Sequence, residues 1–330
     1  MTISRRHILQ SALGAAGLAA LQRPALAQSQ SMDSARILTG FPAGSPIDAL
    51  CRAMAEKLRP DYARSVLVEN RAGVGGQLAA QALKAAPRDG STCLITPMSI
   101  LGVYPHTYKK LAYDPVADFI PVSNCVTYGY GLAVGSEVPA SVTNIQQLIE
   151  WFKANPGKAN FGTAATGSTL HFTGVLLGRA AGVELTHVGY INGGNMLSDL
   201  VGGALPACVS SISTLRPFHA SGKLRVIGTS GATRSRFLPQ VSTFSEAGYK
   251  DMVFSEWYGV FLPARTPQER VSRLNAAVAA ALAAPEVAET LDAQALEVSP
   301  SSPSELAALL KRDTELWGRR IKSVGFTSYS

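Results

Sequence analysis

An α/β fold in two lobes is what this 330-residue sequence predicts, and three observations carry the prediction. After the first 27 residues, short apolar runs of strand length alternate with stretches of helix length, the pattern of a strand–helix protein. A remaining length of about 300 residues exceeds what a single hydrophobic core usually organises. Two segments, "TYGYG" (127–131) and "DMVFSEWYGVFLPA" (251–264), read as hinge passages of chain from one lobe to the other.

The elements follow in order. Residues 1–27 form an export signal rather than part of the fold: "SRRHIL" (4–9) precedes the apolar "ALGAAGLAAL" (12–21), and "ALA" (25–27) is a small-residue cleavage site. The apolar run is shorter than the ~20 residues a membrane span needs, and the paired arginines fit a twin-arginine signal. Cleavage is expected after Ala27, with the mature protein in the periplasm. Strands are expected at 35–41, 65–70, 91–96, 119–126, 131–134, 184–188, 204–210 and 223–230. Helices are expected at 45–58, 76–86, 144–155, 169–181, 267–283 and 303–322. Three helix starts, "SPID" (45–48), "TPQE" (266–269) and "SPSE" (302–305), read as capping boxes with proline in the first turn. Leu306, Leu309, Leu310, Trp317 and Ile321 mark one apolar face of the last helix, which makes Trp317 a core residue.

Composition excludes several classes of function. With 46% hydrophobic and 16% charged residues the chain is globular. Its formal charge of +7 falls to +4 once Arg5, Arg6 and Arg23 leave with the signal. The remaining cations are scattered without aromatic interleaving, so nucleic acid is not an expected partner. Cys51, Cys93, Cys125 and Cys208 are spaced 42, 32 and 83 residues apart, which matches no metal signature. An oxidising periplasm permits a disulfide, but each cysteine lies in an apolar segment and reads as a small buried hydrophobe. There is no G-x-S-x-G and no H-E-x-x-H. "AGVGGQ" (72–77) resembles a dinucleotide loop but has Leu78 where the third glycine belongs.

Two glycine-rich loops carry more information. "GFPAGSPID" (40–48) and "GTAATGSTLHF" (162–172) each run from a strand end into a helix start. The second nearly spells the phosphate loop G-x-x-x-x-G-K-[ST], with Ser168 in place of lysine. A helix N-terminus presents unpaired N–H groups and the positive end of the helix dipole, so it binds an anion without a cationic side chain. Without lysine a triphosphate is disfavoured, whereas a carboxylate fits backbone N–H groups with the Ser168 and Thr169 hydroxyls. A plain turn capped by Ser168 is the structural alternative, and Asp48 can equally serve as a cap of its own helix.

The ordered landmarks "GFPAGSPID", "VLVENRAGVGGQ", "YPHTYKKLAYDPVADFIPV", "LIEWFKANPGKANFGTAATGSTLHF", "ELTHVGYINGG", "SGKLRVIG", "FLPQVSTFSEAGY" and "WYGVFLPARTP" resemble, over nearly the whole mature chain, the Bug-type (TctC-like) periplasmic solute receptors of tripartite tricarboxylate transporters. The resemblance implies a two-lobed α/β periplasmic binding protein of the type II-like, Venus flytrap class with hinge strands. It places lobe one at 31–127 plus 254–330 and lobe two at 128–253. It further implies capture of a small carboxylate by hinge closure, delivery to membrane permease subunits, and no enzymatic step, cofactor or metal. Ligand contacts are expected at Phe41, Ala43, Gly44, Ser45, Asp48, Ser99, Thr163, Ala164, Ser168, Thr169, His171, Asn192 and Gly193. The sequence departs from the family pattern at Ser45–Pro46, where glycines are usual, and proline removes an N–H donor. It departs also at Met98 and Ile100, at Gly189 and Ile191, and at Pro206 and Ser210. These changes point to a less charged cleft and a ligand with an aromatic or alkyl body. Two alternatives stand beside this reading. One is an exported enzyme acting on a small carboxylate with His171 as acid or base, against which His171 is a cap or packing residue. The other is a ligand-sensing partner of a membrane sensor kinase.

Overall fold

A computed structural model describes residues 31–329; the export signal and its cleavage after Ala27 lie outside the described residues. The strand–helix alternation resolves into two sheets, one in each of two α/β lobes. The first contains β1 (Met32–Thr39), β2 (Ala63–Asn70), β3 (Thr92–Pro97), β4 (Phe119–Tyr128), β10 (Glu256–Pro263) and β11 (Glu297–Val298), in the order β11-β4-β10-β3-β1-β2. β1 runs parallel to β2 and β3, while β10 is antiparallel to both β3 and β4. The second sheet holds β5 (Tyr130–Val134), β6 (Asn160–Thr163), β7 (Thr186–Gly189), β8 (Ala207–Ser211) and β9 (Arg225–Thr229), in the order β7-β6-β8-β5-β9. Here β6 is parallel to β7 and β8, and β5 is antiparallel to β8 and β9.

The chain crosses between sheets twice, where the hinge signals lie. β4 gives way to β5 across Gly129 alone. The return enters β10, whose Glu256 pairs with Tyr128 in register. The passages are tied together by Ser230, which follows β9: its N–H donates to the Tyr130 C=O at 3.0 Å and its C=O accepts the Phe254 N–H at 2.9 Å. β10 is buried at all eight positions, which explains why its sequence is a continuous apolar run instead of an alternating one.

The helices are α1 (Pro46–Leu58), α2 (Gln77–Lys84), α3 (Tyr104–Thr107), α4 (Ile145–Ala154), α5 (Thr169–Ala181), α6 (Gly193–Gly202), α7 (Ile212–Ala220), α8 (Gln268–Leu282), α9 (Pro285–Ala293) and α10 (Pro303–Ser323). α1 buries Ile47, Leu50, Cys51, Met54 and Leu58 and packs against α8 and α9. α10 buries Leu306, Trp317 and Ile321 as its stripe predicts, and Asp313 at its centre accepts the Trp257 indole N–H at 2.9 Å, tying α10 to β10. In the second lobe Phe152, Phe161, Phe172 and Phe244 are fully buried. All four cysteines are buried and free; burial pushes the Cys93 and Cys208 thiols up to about 12.

Only one of the three expected capping boxes forms. At α10, Ser302 Oγ accepts the Glu305 N–H at 3.2 Å while Glu305 Oε2 accepts the Ser302 N–H at 2.8 Å. At α8, Thr266 donates to the Pro263 carbonyl, and at α1 Ser45 donates to the Pro42 carbonyl. Both hydroxyls close the preceding turn and leave their helix without a side-chain cap.

α5 lies so close to β6 that a Cβ at Gly174 would stand 2.2 Å from the Phe161 ring. Alanine is the better helix former by ~1 kcal/mol, yet overpacking of this kind costs about 1–3 kcal/mol. Gly174→Ala is therefore expected to lower the midpoint of urea unfolding. An unchanged or raised midpoint would refute the close packing of α5 on β6.

Candidate functional site

The parallel strands of each sheet deliver their C-terminal ends, and the loops that follow, to one edge. Ligand sites of α/β proteins lie at such edges. In the first lobe, the loop after β1 is pinned by Asp48 in the first turn of α1. This buried carboxylate accepts the Gly44 N–H at 2.9 Å, Arg52 Nε at 2.9 Å and Asn70 Nδ2 at 2.8 Å. Asn70 also donates to the Phe41 carbonyl at 3.0 Å. Burial alone raises the Asp48 carboxyl, but the bonds from Arg52, Asn70 and Gly44 outweigh it and hold it below the usual range. Asp48 is thus an ionised strut that fixes the loop, and it does so through the Gly44 N–H rather than by capping its helix at Ser45. Ala43 and Gly44 are exposed, while Phe41 and Ser45 are half-buried. The "AGVGGQ" stretch packs against this loop: a Cβ at Gly40 would stand 2.5 Å from Gly76 Cα. Its glycines serve that backbone approach.

In the second lobe, β6 ends at Thr163 and α5 starts at Thr169. Gly167 makes the turn with φ +80°, a conformation that favours glycine. Ser168 holds the N-cap position, but its hydroxyl donates to the Ala165 carbonyl at 2.6 Å, and α5 has no side-chain cap. Ser99 of the other lobe accepts the Thr169 N–H at 3.3 Å, and no side chain of the loop itself caps the first turn. His171 Nδ1 accepts the Gly167 N–H at 3.4 Å. Its ring lies 3.9 Å from that of His187, whose Nε2 bonds Thr163 Oγ1 at 2.8 Å. Burial lowers both imidazoles, His171 to about 3 with help from its neighbour and His187 to about 4. Packed also on Phe172 and Phe326, His171 is a neutral loop support. Asn192 caps α6 by accepting the Asn195 N–H at 2.9 Å, and Gly193 opens that helix. No hydrogen bond among the described residues joins these two to the other candidates.

The two lobes meet at a carboxyl that the sequence reading did not single out. Glu256, at the start of β10, is 1% exposed. Its Oε2 accepts Tyr130 Oη at 2.5 Å, Thr169 Oγ1 at 2.5 Å and Ser99 Oγ at 3.1 Å, while Oε1 accepts the Ser99 N–H at 3.2 Å. Ser99 begins a π-helical turn (Ser99–Val103) directly after β3; such turns are frequent at functional positions. Ser99 Oγ also lies 2.8 Å from Thr169 Oγ1. Of the expected contacts, the structure therefore brings Ser99 and Thr169 directly together across the lobes. It joins Phe41, Gly44 and Asp48 in one loop, and Thr163 and His171, through His187, in another. Tyr108, whose hydroxyl donates to the Thr166 carbonyl at 3.1 Å, adds a second link between lobes.

Met98 and Ile100, which flank Ser99, are buried, whereas Ile191 is 94% exposed. Glu256 had one visible signal: it is the single charged residue in the apolar run 252–264.

Residues 50–326 match the family described as TctC, tripartite tricarboxylate transporter family receptor. The chain belongs to this family. Among curated relatives, a UPF0065 protein from the tcbD-tcbE intergenic region of Pseudomonas sp. (strain P51) is 33% identical over 97% of this chain and 94% of its own length. Three solved receptors share the architecture. A Rhodopseudomonas palustris protein, Rpa4515, solved with adipate, superposes with TM-score 0.84 at 29% identity, covering 90% of this chain and 98% of that one. MatC of R. palustris with bound malate gives 0.80 at 27%, covering 87% and 98%. The periplasmic binding protein BugD gives 0.81 at 27%, covering 90% and 99%. The chain is accordingly a solute-binding receptor of the TctC family, and the resemblance to Bug-type receptors and the two-lobed fold expected from it both hold.

Burial raises the Glu256 carboxyl above the usual range, and its hydrogen bonds from Thr169, Tyr130 and Ser99 only partly restore it. A carboxyl raised in the folded state stabilises the fold below its ordinary value and costs stability as pH climbs through the raised one. Glu256→Gln, measured without ligand, is therefore expected to gain roughly 2–4 °C more in melting temperature relative to wild type at pH 8 than at pH 4. An equal shift at both pH values would contradict this.

Proposed function

We propose that this receptor captures a small carboxylate between lobe one (31–127 with 254–330) and lobe two (128–253) by hinge closure. It then delivers the solute, from the periplasm and without bond chemistry, to the permease subunits of a tripartite tricarboxylate transporter. The observation that carries the reading is that each sheet presents a helix N-terminus without a side-chain cap, α1 in one lobe and α5 in the other, at the C-terminal ends of its parallel strands. Neither loop holds a lysine or arginine, which suits a singly charged group bound by N–H donors and the helix dipole. Adipate and malate on the solved relatives are small carboxylates. Ser168 and Thr169 shape the second loop, but their protons are committed to Ala165 and Glu256, so the anchoring donors are backbone N–H groups.

Calorimetry against a panel of small carboxylates is expected to give 1:1 binding, with a stabilisation of about 2.7 kcal/mol at a ligand concentration of ~100 Kd. Ala164→Asp, which tethers a carboxylate in the α5 loop, is expected to weaken binding at least ~10-fold through like-charge repulsion at the anion site while the protein stays folded. Unchanged affinity in that variant would remove the loop from the site.

A further inference from the structure

The segment that follows α10 makes a further connection between the lobes, and an apolar one. Tyr329 lies beside Tyr108 in an isolated parallel bridge. Its N–H donates to the Thr107 carbonyl at 2.8 Å, and its carbonyl accepts the Lys109 N–H at 2.9 Å. Ser328 Oγ donates to the His106 carbonyl at 3.4 Å. Residues 324–329 are thus fastened to lobe one at both ends, by α10 at the start and by residues 106–109 at the finish. Between these ties Phe326 packs on lobe two. Its ring stands edge-on to Phe172 with centroids 4.9 Å apart, and to His171 at 6.0 Å. Tyr329 lies 5.1 Å from the Phe326 ring, 5.7 Å from Tyr108 and 6.4 Å from His171. His171 and Phe172 belong to the first turn of α5. Gly167, in the turn before it, lies so near that a Cβ there would stand 3.1 Å from the Tyr108 ring and 3.4 Å from the Tyr329 ring.

Three physical consequences follow from this placement. Phe326 and Tyr329 are half-buried, and moving α5 away returns apolar ring surface to water on both sides of the contact. The edge-to-face pairs add a preference for the joined arrangement beyond the area they bury. Because the segment is tied down at both ends on its own lobe, its rings are in position before the lobes meet, and little ordering is charged to their meeting. We propose that residues 326–329 are a strap that holds the lobes together in the absence of ligand, with Phe326 as its foothold on α5. The strap thereby sets how readily the receptor opens to take up or release its solute. This rests on the hinge-closure reading and names the element that biases it. Phe326 is a positioning residue: it acts through α5, whose N-terminal loop is read as a carboxylate anchor. When a strap of this kind is cut, the closed fraction falls, and the apparent affinity for a ligand of the closed form falls with it.

The test is an interlobe distance measured without ligand. The four native cysteines are buried, so spin labels can be directed to Val116→Cys in lobe one, 85% exposed, and Ile191→Cys in lobe two, 94% exposed. Pulsed electron spin resonance on this labelled background is expected to give one narrow distance distribution. Phe326→Ala is expected to add a longer-distance population and raise the open-to-closed ratio at least ~10-fold. Thr327→Ala, at an exposed position of the same segment, is expected to leave the distribution unchanged. A Phe326→Ala distribution equal to the background, or a background already spread to long distances, would overturn the strap. If adipate or malate nevertheless shifts the distances in that case, hinge closure stands and only the strap falls. If neither ligand nor variant moves them, the hinge-closure reading falls too. Should Phe326→Ala fail to fold by circular dichroism, Tyr329→Ala, which removes the ring joining Phe326 to Tyr108, is measured in its place with the same two outcomes.

Discussion

A carboxyl group deprived of water must be satisfied by whatever surrounds it, and around Glu256 the satisfying groups come from both lobes. Ser99 stands at the end of β3 in the first sheet, Tyr130 at the start of β5 in the second, and Thr169 at the start of α5. Separating the lobes strips Glu256 of the bonds from Tyr130 and Thr169 together. Glu256 thus draws its hydrogen bonds from both lobes at once. The same side chain sits on β10 beside the β4–β5 crossing, where Glu256 pairs with Tyr128, so the contact is made next to the passage between the lobes.

Around that junction the fold separates two kinds of polarity. The helix starts at α1 and α5 are donor-rich, because Ser45 and Ser168 spend their hydroxyls on the preceding turn instead of the helix. At the junction three hydroxyls surround one carboxyl oxygen and bond one another as well. Nothing in this arrangement requires a cationic side chain, which accounts for two glycine-rich loops without lysine or arginine.

Much of the fold was legible because it rests on local pattern. Strands and helices with clear periodicity, such as β3 and α10, fall within a residue or two of their expected bounds. α6 begins with paired glycines, α7 contains Pro217 and α9 is short; each breaks the rules by which helices are recognised, and each is held by tertiary packing instead. The capping signals at residues 45 and 266 failed for a related reason: a serine or threonine before proline can close the turn behind it as readily as cap the helix ahead. The candidate site was legible at Ser99, Thr169, Gly44 and Asp48. Glu256 and Tyr130 were not, since they lie 126 residues apart and no spacing within one element joins them. A lone acid in an apolar strand was the signal present, and its meaning depends on what the other lobe places opposite it.

The most direct measurement is a double-mutant cycle in urea unfolding at pH 7, combining Glu256→Gln with Tyr130→Phe. If the carboxyl and the phenol are one interlobe contact, the two changes are expected to deviate from additivity by about 1–2 kcal/mol. Effects that add to within ~0.3–0.5 kcal/mol would contradict the account, because the two groups would then be neighbours without being coupled.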